Sequence, residues 1–224
     1  MGCSIYKTAK QKIIYVMGID GSGKTTVAEY IAEELRARGY RVDVRWLRFN
    51  HFFSKPLLAL CRLLGYTKYE MAGDIRVGYH EFYRSSAIAW SFVLLQYLDA
   101  VRVKWLYLQP CLWSRNRVLV LDRYIYDILI DIMIDTRLTG LDKSRIGQAF
   151  KRLLPDNAFS IVLHRSKDKV LQARPESGVD REFNDRYELY DKLRTEGEVH
   201  VIENDGTVDD LLQSVREQLT ELCA

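Results

Sequence analysis

The segment GIDGSGKT, residues 18–25, constrains the fold more than any other stretch of this chain. It follows the apolar run KIIYVM (12–17) and precedes a pattern in which Val27, Ile31 and Leu35 recur every four residues. Glycine costs conformational entropy on folding, so three glycines in six positions indicate a backbone that must approach something closely. Strand, glycine loop and helix in this order are the context in which the motif G-x-x-x-x-G-K-[ST] forms a phosphate-binding loop, or P-loop.

The residue types in this loop suit a bound phosphate. Successive backbone N–H groups line a concave anion site, and the start of the following helix adds positive potential. Lys24 is expected to reach the terminal phosphates, and Thr25 to offer its hydroxyl to Mg²⁺. The alternative, a glycine turn without a ligand, is disfavoured by the strand and helix on either side. The predicted phosphate-binding set is Gly18, Asp20, Gly21, Ser22, Gly23, Lys24, Thr25 and Thr26.

Five apolar runs rich in β-branched residues predict buried strands. They lie at 12–17, 40–47, 117–122, 158–164 and 198–203. Helical patterns separate them, and alternation of this kind predicts a parallel sheet covered by helices on both faces. The expected fold class is therefore α/β, a three-layer α/β/α arrangement of the P-loop NTPase type with a five-stranded, mostly parallel sheet and a mobile lid.

A chain of 224 residues suits one large domain, and we expect a single one over 1–224. Its core is predicted at 12–47, 85–164 and 182–222. Residues 48–84 are read as an insertion on the acceptor side, with a short helix at 54–64 and a glycine-punctuated loop after it. Residues 165–181 are basic and polar and are read as the lid, because long loops in compact domains are usually functional or mobile.

Composition argues against several classes of partner. Thirty-three basic and thirty acidic side chains leave a net charge of +3, which gives little attraction for nucleic acid. The most apolar stretch, 87–98, is too short and too polar to span a membrane. The cysteines lack paired spacing and predict a reducing, cytoplasmic location without disulfides or zinc. They are Cys3, Cys61, Cys111 and Cys223.

A second motif, RVLVLDRY at 117–124, adds charged groups to the end of a predicted strand. Open α/β sheets gather their ligand groups at the carboxyl ends of strands. Asp122 is therefore expected to hold Mg²⁺ through a water, and Arg123 offers a planar cation suited to a phosphate. In the alternative reading, Asp122 caps the next helix and Arg123 lies on the surface.

Together these motifs resemble the thymidylate kinase family over most of residues 12–222. The resemblance rests on GIDGSGKTT, on DRY, on DRE at 180–182 and on ENDGTVDD before the last helix. It implies transfer of phosphate from ATP to dTMP, with Mg²⁺ as cofactor. It also implies that Asp20 approaches the sugar 3′-hydroxyl of the acceptor and that Arg123 holds the phosphate of the acceptor. A lid arginine, Arg174 or Arg181, then acts on the transferred group.

The resemblance is loose around the acceptor's base. The family's Asp-Arg pair on the long helix corresponds here to Asp99-Ala100, and Arg102, Arg84 or Gln96 are candidate replacements. The resemblance also implies an arginine after the second strand, for which Arg45 and Arg48 are candidates. Phe49, Phe52 and Phe53 are candidates to pack against a base, with core packing as the alternative. The predicted acceptor-binding set is Asp20, Arg48, Arg84, Gln96, Asp99, Arg123 and Tyr124.

Other functions stay open at this point. The alternatives to phosphorylation of dTMP are a kinase for another nucleoside monophosphate or for a deoxynucleoside, a P-loop ATPase, and a regulatory nucleotide-binding module. A homodimer is expected through residues 85–113, which hold more large apolar groups than one helix face needs. The alternative is that this helix is buried within its own chain. The groups in question are Trp90, Phe92, Trp105, Tyr107 and Trp113.

Overall fold

A five-stranded parallel sheet forms the centre of the structure, a computed structural model that describes residues 12–48, 50–72, 75–196 and 199–223. The strand order is β2-β5-β1-β6-β7, and every neighbouring pair is parallel. The predicted fold class is confirmed, and each predicted strand is found within two residues of its expected bounds. The strands are β1 (Ile13–Gly18), β2 (Arg41–Trp46), β5 (Arg117–Asp122), β6 (Phe159–His164) and β7 (His200–Glu203).

Helices cover both faces of this sheet because its central strands are apolar on both sides. Ile14 and Val16 pack with helices α1 and α9, whereas Ile13, Tyr15 and Met17 pack with α3, α5 and α8 on the opposite face. The helices are α1 (Lys24–Ala37), α2 (Lys55–Leu63), α3 (Ser86–Val103), α4 (Gln109–Trp113), α5 (Ile125–Thr136), α6 (Arg145–Lys151), α7 (Lys167–Ala173), α8 (Phe183–Thr195) and α9 (Val208–Cys223).

The strand order brings the predicted motifs to one edge of the sheet. β1 lies between β5 and β6, with Val16 beside Asp122 and Gly18 beside Leu163. The loops that leave these three strands therefore start next to one another, as ligand-binding loops do at the carboxyl ends of parallel strands.

The insertion contains a hairpin that the sequence analysis read as a loop. β3 (Thr67–Ala72) pairs antiparallel with β4 (Ile75–His80). The dipeptide Gly73-Asp74 between two alternating runs is a hairpin signal in the sequence, although it lies outside the described residues. The hairpin contacts the predicted lid: the Tyr79 hydroxyl donates to Asp180 at 3.0 Å.

The predicted lid is itself structured. It contains α7 and a 3₁₀ turn at Pro175–Val179.

In the described part of the chain, no helix combines the length and the apolar character that crossing a membrane requires.

Candidate active site

The P-loop backbone takes a conformation that favours glycine at three points. Gly18, Gly21 and Gly23 have φ angles of 147°, 87° and 95°. A Cβ atom at Gly18 would lie 2.6 Å from the Leu163 carbonyl oxygen, so a side chain there would collide with β6. The glycines thus allow close packing of the loop on its own protein as well as the access to a phosphate that the sequence indicates.

Two side chains outside the loop hold it in place. The Asn204 amide donates to the Ser22 carbonyl at 2.8 Å, and Arg165 Nη1 donates to the Gly21 carbonyl at 2.8 Å. With their carbonyls occupied, these peptides direct their N–H groups elsewhere, which suits an anion site. The sequence analysis missed both residues, although Asn204 belongs to the ENDGTVDD motif and Arg165 directly follows β6.

Lys24 lies buried at the start of α1, with 5% of its side chain exposed. Its Nζ donates to the Ile19 carbonyl at 2.7 Å and lies 3.7 Å from Asp20 Oδ1. Burial, helped by the nearby Arg123 guanidinium, lowers the Lys24 pKa to about 8. A bound polyphosphate would offer this ammonium group a stronger partner than a carbonyl oxygen.

Asp20 lies at the centre of a charged cluster. Arg123 Nη2 donates to Asp20 Oδ1, and Arg48 Nη1 donates to Oδ2 at 3.3 Å. Burial alone would raise the pKa of Asp20, but the charges of Arg123, Lys24 and Arg48 outweigh it and hold this pKa well below its usual range. Three residues of the predicted acceptor set, Asp20, Arg48 and Arg123, therefore lie together beside Lys24.

Arg123 reaches this cluster through an unusual backbone conformation. Its φ angle is 70°, in the left-handed region that non-glycine residues rarely adopt. Such conformations cost about 1–3 kcal/mol and concentrate at functional sites. The side chain is 5% exposed and also lies 3.5 Å from Asp127. The alternative in which Arg123 is a surface residue is wrong.

Helix α5 carries three aspartates that the sequence analysis did not identify as site residues. Asp127, Asp131 and Asp135 recur every four residues in an otherwise apolar helix, and this spacing, visible in the sequence, places them on one face. Asp127 accepts hydrogen bonds from the hydroxyls of Tyr15 and Tyr190 at 2.6 and 2.5 Å.

Asp131 lies between two arginines. Arg48 donates to both of its carboxylate oxygens at 2.8 Å, and Arg186 of α8 donates at 3.3 Å. These two cations lower the pKa of Asp131 against the opposing effect of burial. Asp131 of α5 thus fixes the orientation of Arg48. Arg186 also belongs to the site, although the sequence did not indicate it.

Thr25 and Asp122 form the predicted metal pair. The Thr25 hydroxyl donates to Asp122 Oδ2 at 3.0 Å. Asp122 Oδ1 is buried and has no hydrogen-bond partner among the described residues, and burial is the main reason that the pKa of Asp122 is raised.

A hydroxyl beside an unpaired carboxylate oxygen fits Mg²⁺, which binds oxygen ligands through one or two carboxylates plus substrate phosphates. Within the described ranges, there is no group of three acidic, histidine or cysteine side chains that would form a complete protein cage.

The two lid arginines lie at different distances from the P-loop. The Arg174 Cγ atom lies 3.1 Å from the position of a Cβ on Gly21, and its guanidinium donates to Glu176 at 3.2 Å. Arg181 instead contacts the hairpin: it pairs with Glu70 at 3.1 Å and stacks over Tyr79. Of these two, only Arg174 is next to the loop.

Tyr124 and Asp99, two residues of the predicted acceptor set, make structural contacts. Tyr124 is fully buried, and its hydroxyl donates to the Ala100 carbonyl at 3.0 Å. Asp99 is 3% exposed, and its carboxylate accepts from the backbone N–H groups of residues 52–54 and from the Ser54 hydroxyl. Asp99 therefore stabilises the chain just before α2.

The remaining residues of the predicted acceptor set lie in different parts of the structure. Arg84 donates to the Gly65 carbonyl and stacks over Tyr66, outside the charged cluster, whereas Gln96 lines a cavity between α3 and α5. Phe52 and Phe53 are 56% and 42% exposed, so they are not core residues. Phe49 lies outside the described residues.

The pKa of Lys24 predicts how ATP affinity depends on pH. Because this pKa is about 8 in the free protein and a polyphosphate favours the charged form, binding takes up a proton above pH 8. The dissociation constant for ATP should therefore rise by up to about tenfold per pH unit above pH 8. Calorimetry from pH 7 to 9.5 measures this. A Lys24→Met variant should lack this dependence, and the same slope in both proteins would contradict the assignment.

Comparison with known proteins supports the fold. No protein-family model matches the chain. The structure is similar to crystalline thymidylate kinase from Ehrlichia chaffeensis, with a TM-score of 0.54 and 18% identity over 94% of this chain and 98% of that one. A probable thymidylate kinase from Archaeoglobus fulgidus is 62% identical over 32 residues. That match spans 14% of this chain and 16% of the relative.

Proposed function

We propose that this chain is a phosphotransferase that moves the γ-phosphoryl group of ATP to a nucleoside monophosphate, with dTMP as the first acceptor to test. The observation that carries the proposal is the set of cations around Asp20. Lys24 of the P-loop, Arg123 and Arg48 all pair with this carboxylate. A site with this much positive charge suits the phosphates of a donor and an acceptor. The likeness to thymidylate kinases supports the choice of dTMP.

The reaction needs positioned charges and no covalent nucleophile on the protein. A phosphate oxygen of the acceptor attacks the γ-phosphorus of ATP, a new P–O bond forms, and the bond to the β–γ bridging oxygen breaks to release ADP. Lys24 and the loop N–H groups hold the donor, while Arg123 and Arg48 orient the acceptor in line with it. Thr25 and Asp122 would hold Mg²⁺, which would supply positive charge to neutralise the phosphate oxygens.

Residues 165–181 act as a lid in this proposal. Closure excludes water, because an open site would let ATP hydrolyse. Arg174 is the first candidate to reach the transferred group, since its side chain already packs against Gly21. Arg181 has to leave Glu70 and Glu81 of the hairpin region before it can do the same.

Activity with a panel of acceptors tests the proposal. Purified protein with ATP and Mg²⁺ is given dTMP, dUMP, UMP, CMP, AMP or thymidine, and ADP and the phosphorylated product are both measured. We expect the product to match ADP one for one with at least one monophosphate. ATP hydrolysis that no acceptor changes would identify an ATPase or a regulatory module instead. Phosphorylation of thymidine alone would identify a deoxynucleoside kinase.

We also propose that α3 takes part in a homodimer. One face of this helix is buried, with Phe92 4% exposed, whereas Trp90, Leu94 and Leu98 on its other face are 45–54% exposed. An exposed stripe of large apolar side chains is characteristic of an interface. Sedimentation measures whether the protein is a dimer.

The buried thiols Cys61 and Cys111 are free, which supports the cytoplasmic location proposed from the sequence.

A further inference from the structure

A buried cluster of polar side chains lies next to Arg123, and the mechanism above does not use it. Its centre is Asp127 in the first turn of α5, which is 1% exposed. Tyr15 of β1 and Tyr190 of α8 are the other two members, and both are buried. A carboxylate this deep in the core cannot contact ATP or an acceptor, so any part it plays in transfer must act through another residue.

Hydrogen bonds fix the orientation of the Asp127 carboxylate. Its Oδ2 atom accepts from the Tyr15 hydroxyl at 2.6 Å and from the Tyr124 N–H group at 3.1 Å. Its Oδ1 atom accepts from the Tyr190 hydroxyl at 2.5 Å. The Tyr15 oxygen in turn accepts from the N–H groups of residues 126 and 127 at 3.1 and 3.3 Å. Since these two donors occupy its lone pairs, its own proton points to Asp127.

Both tyrosines remain hydrogen-bond donors over the working pH range. Burial, helped by the charge of Asp127, raises the pKa of Tyr15 and that of Tyr190 well above the usual range. Their hydroxyls therefore keep their protons, and the direction of each hydrogen bond to the carboxylate does not change with pH.

Arg123 pairs with two carboxylates through different nitrogens. Nη2 donates to Asp20, and Nη1 lies 3.5 Å from Asp127 Oδ1. The Asp20 side chain is 53% exposed, whereas that of Asp127 is fully buried. A phosphate that arrives from solvent can therefore compete with Asp20 for Arg123, but it does not reach Asp127.

The side chain of Arg123 needs such a buried partner. Its backbone is tied to β1, since its N–H group donates to the Val16 carbonyl at 3.1 Å, but the side chain still has several rotatable bonds. In-line transfer tolerates little misplacement, because a shift of about 1 Å can cost about 10²-fold in rate. A guanidinium held at Nη1 keeps its other nitrogen in a constant position.

The alternative role of Asp127 is to cap α5. By accepting from the Tyr124 N–H group, its carboxylate stabilises the start of the helix. This role uses only Oδ2, and the amide oxygen of asparagine would serve it equally well. Positioning uses Oδ1 and the negative charge, which face Tyr190 and Arg123. The two roles therefore make different demands on the side chain.

We propose that Asp127 is a positioning residue for Arg123: oriented by two tyrosine hydroxyls, it holds Nη1 of the guanidinium and leaves Nη2 for the phosphate of the acceptor. This inference rests on the proposed function, which assigns that phosphate to Arg123. Because Asp127 acts through Arg123, its replacement should change transfer to the acceptor and leave ATP binding as it is.

Asp127→Asn removes the charge and keeps the cap. The asparagine oxygen can replace Oδ2, and its NH₂ group can donate to the Tyr190 hydroxyl, so the core stays filled. The acceptor is dTMP, or the monophosphate that the acceptor panel ranks first. We expect its kcat/KM to fall at least about tenfold, while the dissociation constant of ATP stays within about threefold. Steady-state rates and calorimetry measure the two quantities.

The same change in an Arg123→Ala background separates positioning from stability. Once the guanidinium is gone, Asp127→Asn should lower kcat/KM by less than about twofold. A residue that only stabilises the fold would lower it by the same factor in both backgrounds. Equal factors in the two backgrounds would overturn the inference.

Asp142→Asn is the matched control. Asp142 is also a buried aspartate, 6% exposed, but it pairs with Lys192 at 3.3 Å, outside the charged cluster around Asp20. Its replacement should leave kcat/KM unchanged, and melting temperatures check that every variant folds.

Tyr190→Phe takes the place of Asp127→Asn if that variant does not fold. It keeps the carboxylate and removes the hydroxyl that orients Oδ1. We expect kcat/KM for the acceptor to fall about threefold, and only when Arg123 is present. An unchanged kcat/KM would contradict the positioning role.

Failure of the proposed function looks different from failure of this inference. A natural protein that transfers phosphate to no acceptor would end both proposals. Transfer that Asp127→Asn leaves at its natural kcat/KM would end only this one.

Discussion

Replacing Lys24 with methionine is expected to lower kcat for phosphoryl transfer by at least about 10²–10³-fold, the usual effect of removing a group that stabilises transition-state charge. Lys24 is the buried cation of the P-loop, and among the described residues its polar partners are the Ile19 carbonyl and Asp20. Methionine keeps the length of the side chain and removes the charge. Steady-state rates with ATP and the best acceptor of the panel measure the effect.

The matched control for this variant is Lys143→Met. Lys143 is 66% exposed and pairs only with Glu196 in the described structure, so its replacement should leave kcat unchanged. Lys24→Met removes a buried ammonium group and should melt no lower than the natural protein, which excludes unfolding as the cause of inactivity. A kcat within tenfold of the natural value would refute the role of the loop in transfer.

Replacing Arg123 with alanine is expected to have the second largest effect. The change removes the planar cation that faces Asp20 and leaves the acceptor phosphate without its main partner. We expect kcat/KM for the acceptor to fall by at least about 10²-fold, while the dissociation constant of ATP stays within about threefold. Arg123→Lys restores the charge without the planar fork and should recover only part of this loss.

Arg137→Ala is the control for Arg123, because Arg137 is the other described non-glycine residue with a positive φ angle, 53°. It stacks over Tyr83 at the end of α5, outside the charged cluster. Its replacement therefore makes the same chemical change in the same backbone region. If both variants lose acceptor affinity equally, the effect is one of folding, and the assignment of Arg123 to the acceptor fails.

The amino-acid sequence by itself determined the strands, the P-loop and the position of Asp122 and Arg123. Each of these follows from a local pattern: apolar runs of strand length, a glycine loop between a strand and a helix, and charged groups where a buried strand ends. Such patterns are readable because the residues that define them are neighbours in the chain.

Tertiary structure alone decided which charges meet. Arg48 reaches Asp20 and Asp131 because the sheet places β2 beside β5, and Asn204 reaches the P-loop because β7 lies at the end of the same sheet. Strand order and helix packing set these distances, and no short stretch of the sequence predicts them. For the same reason the sequence did not show that Tyr124 and Asp99 contact backbone groups of their own chain: whether a polar side chain faces solvent or backbone depends on what packs against it.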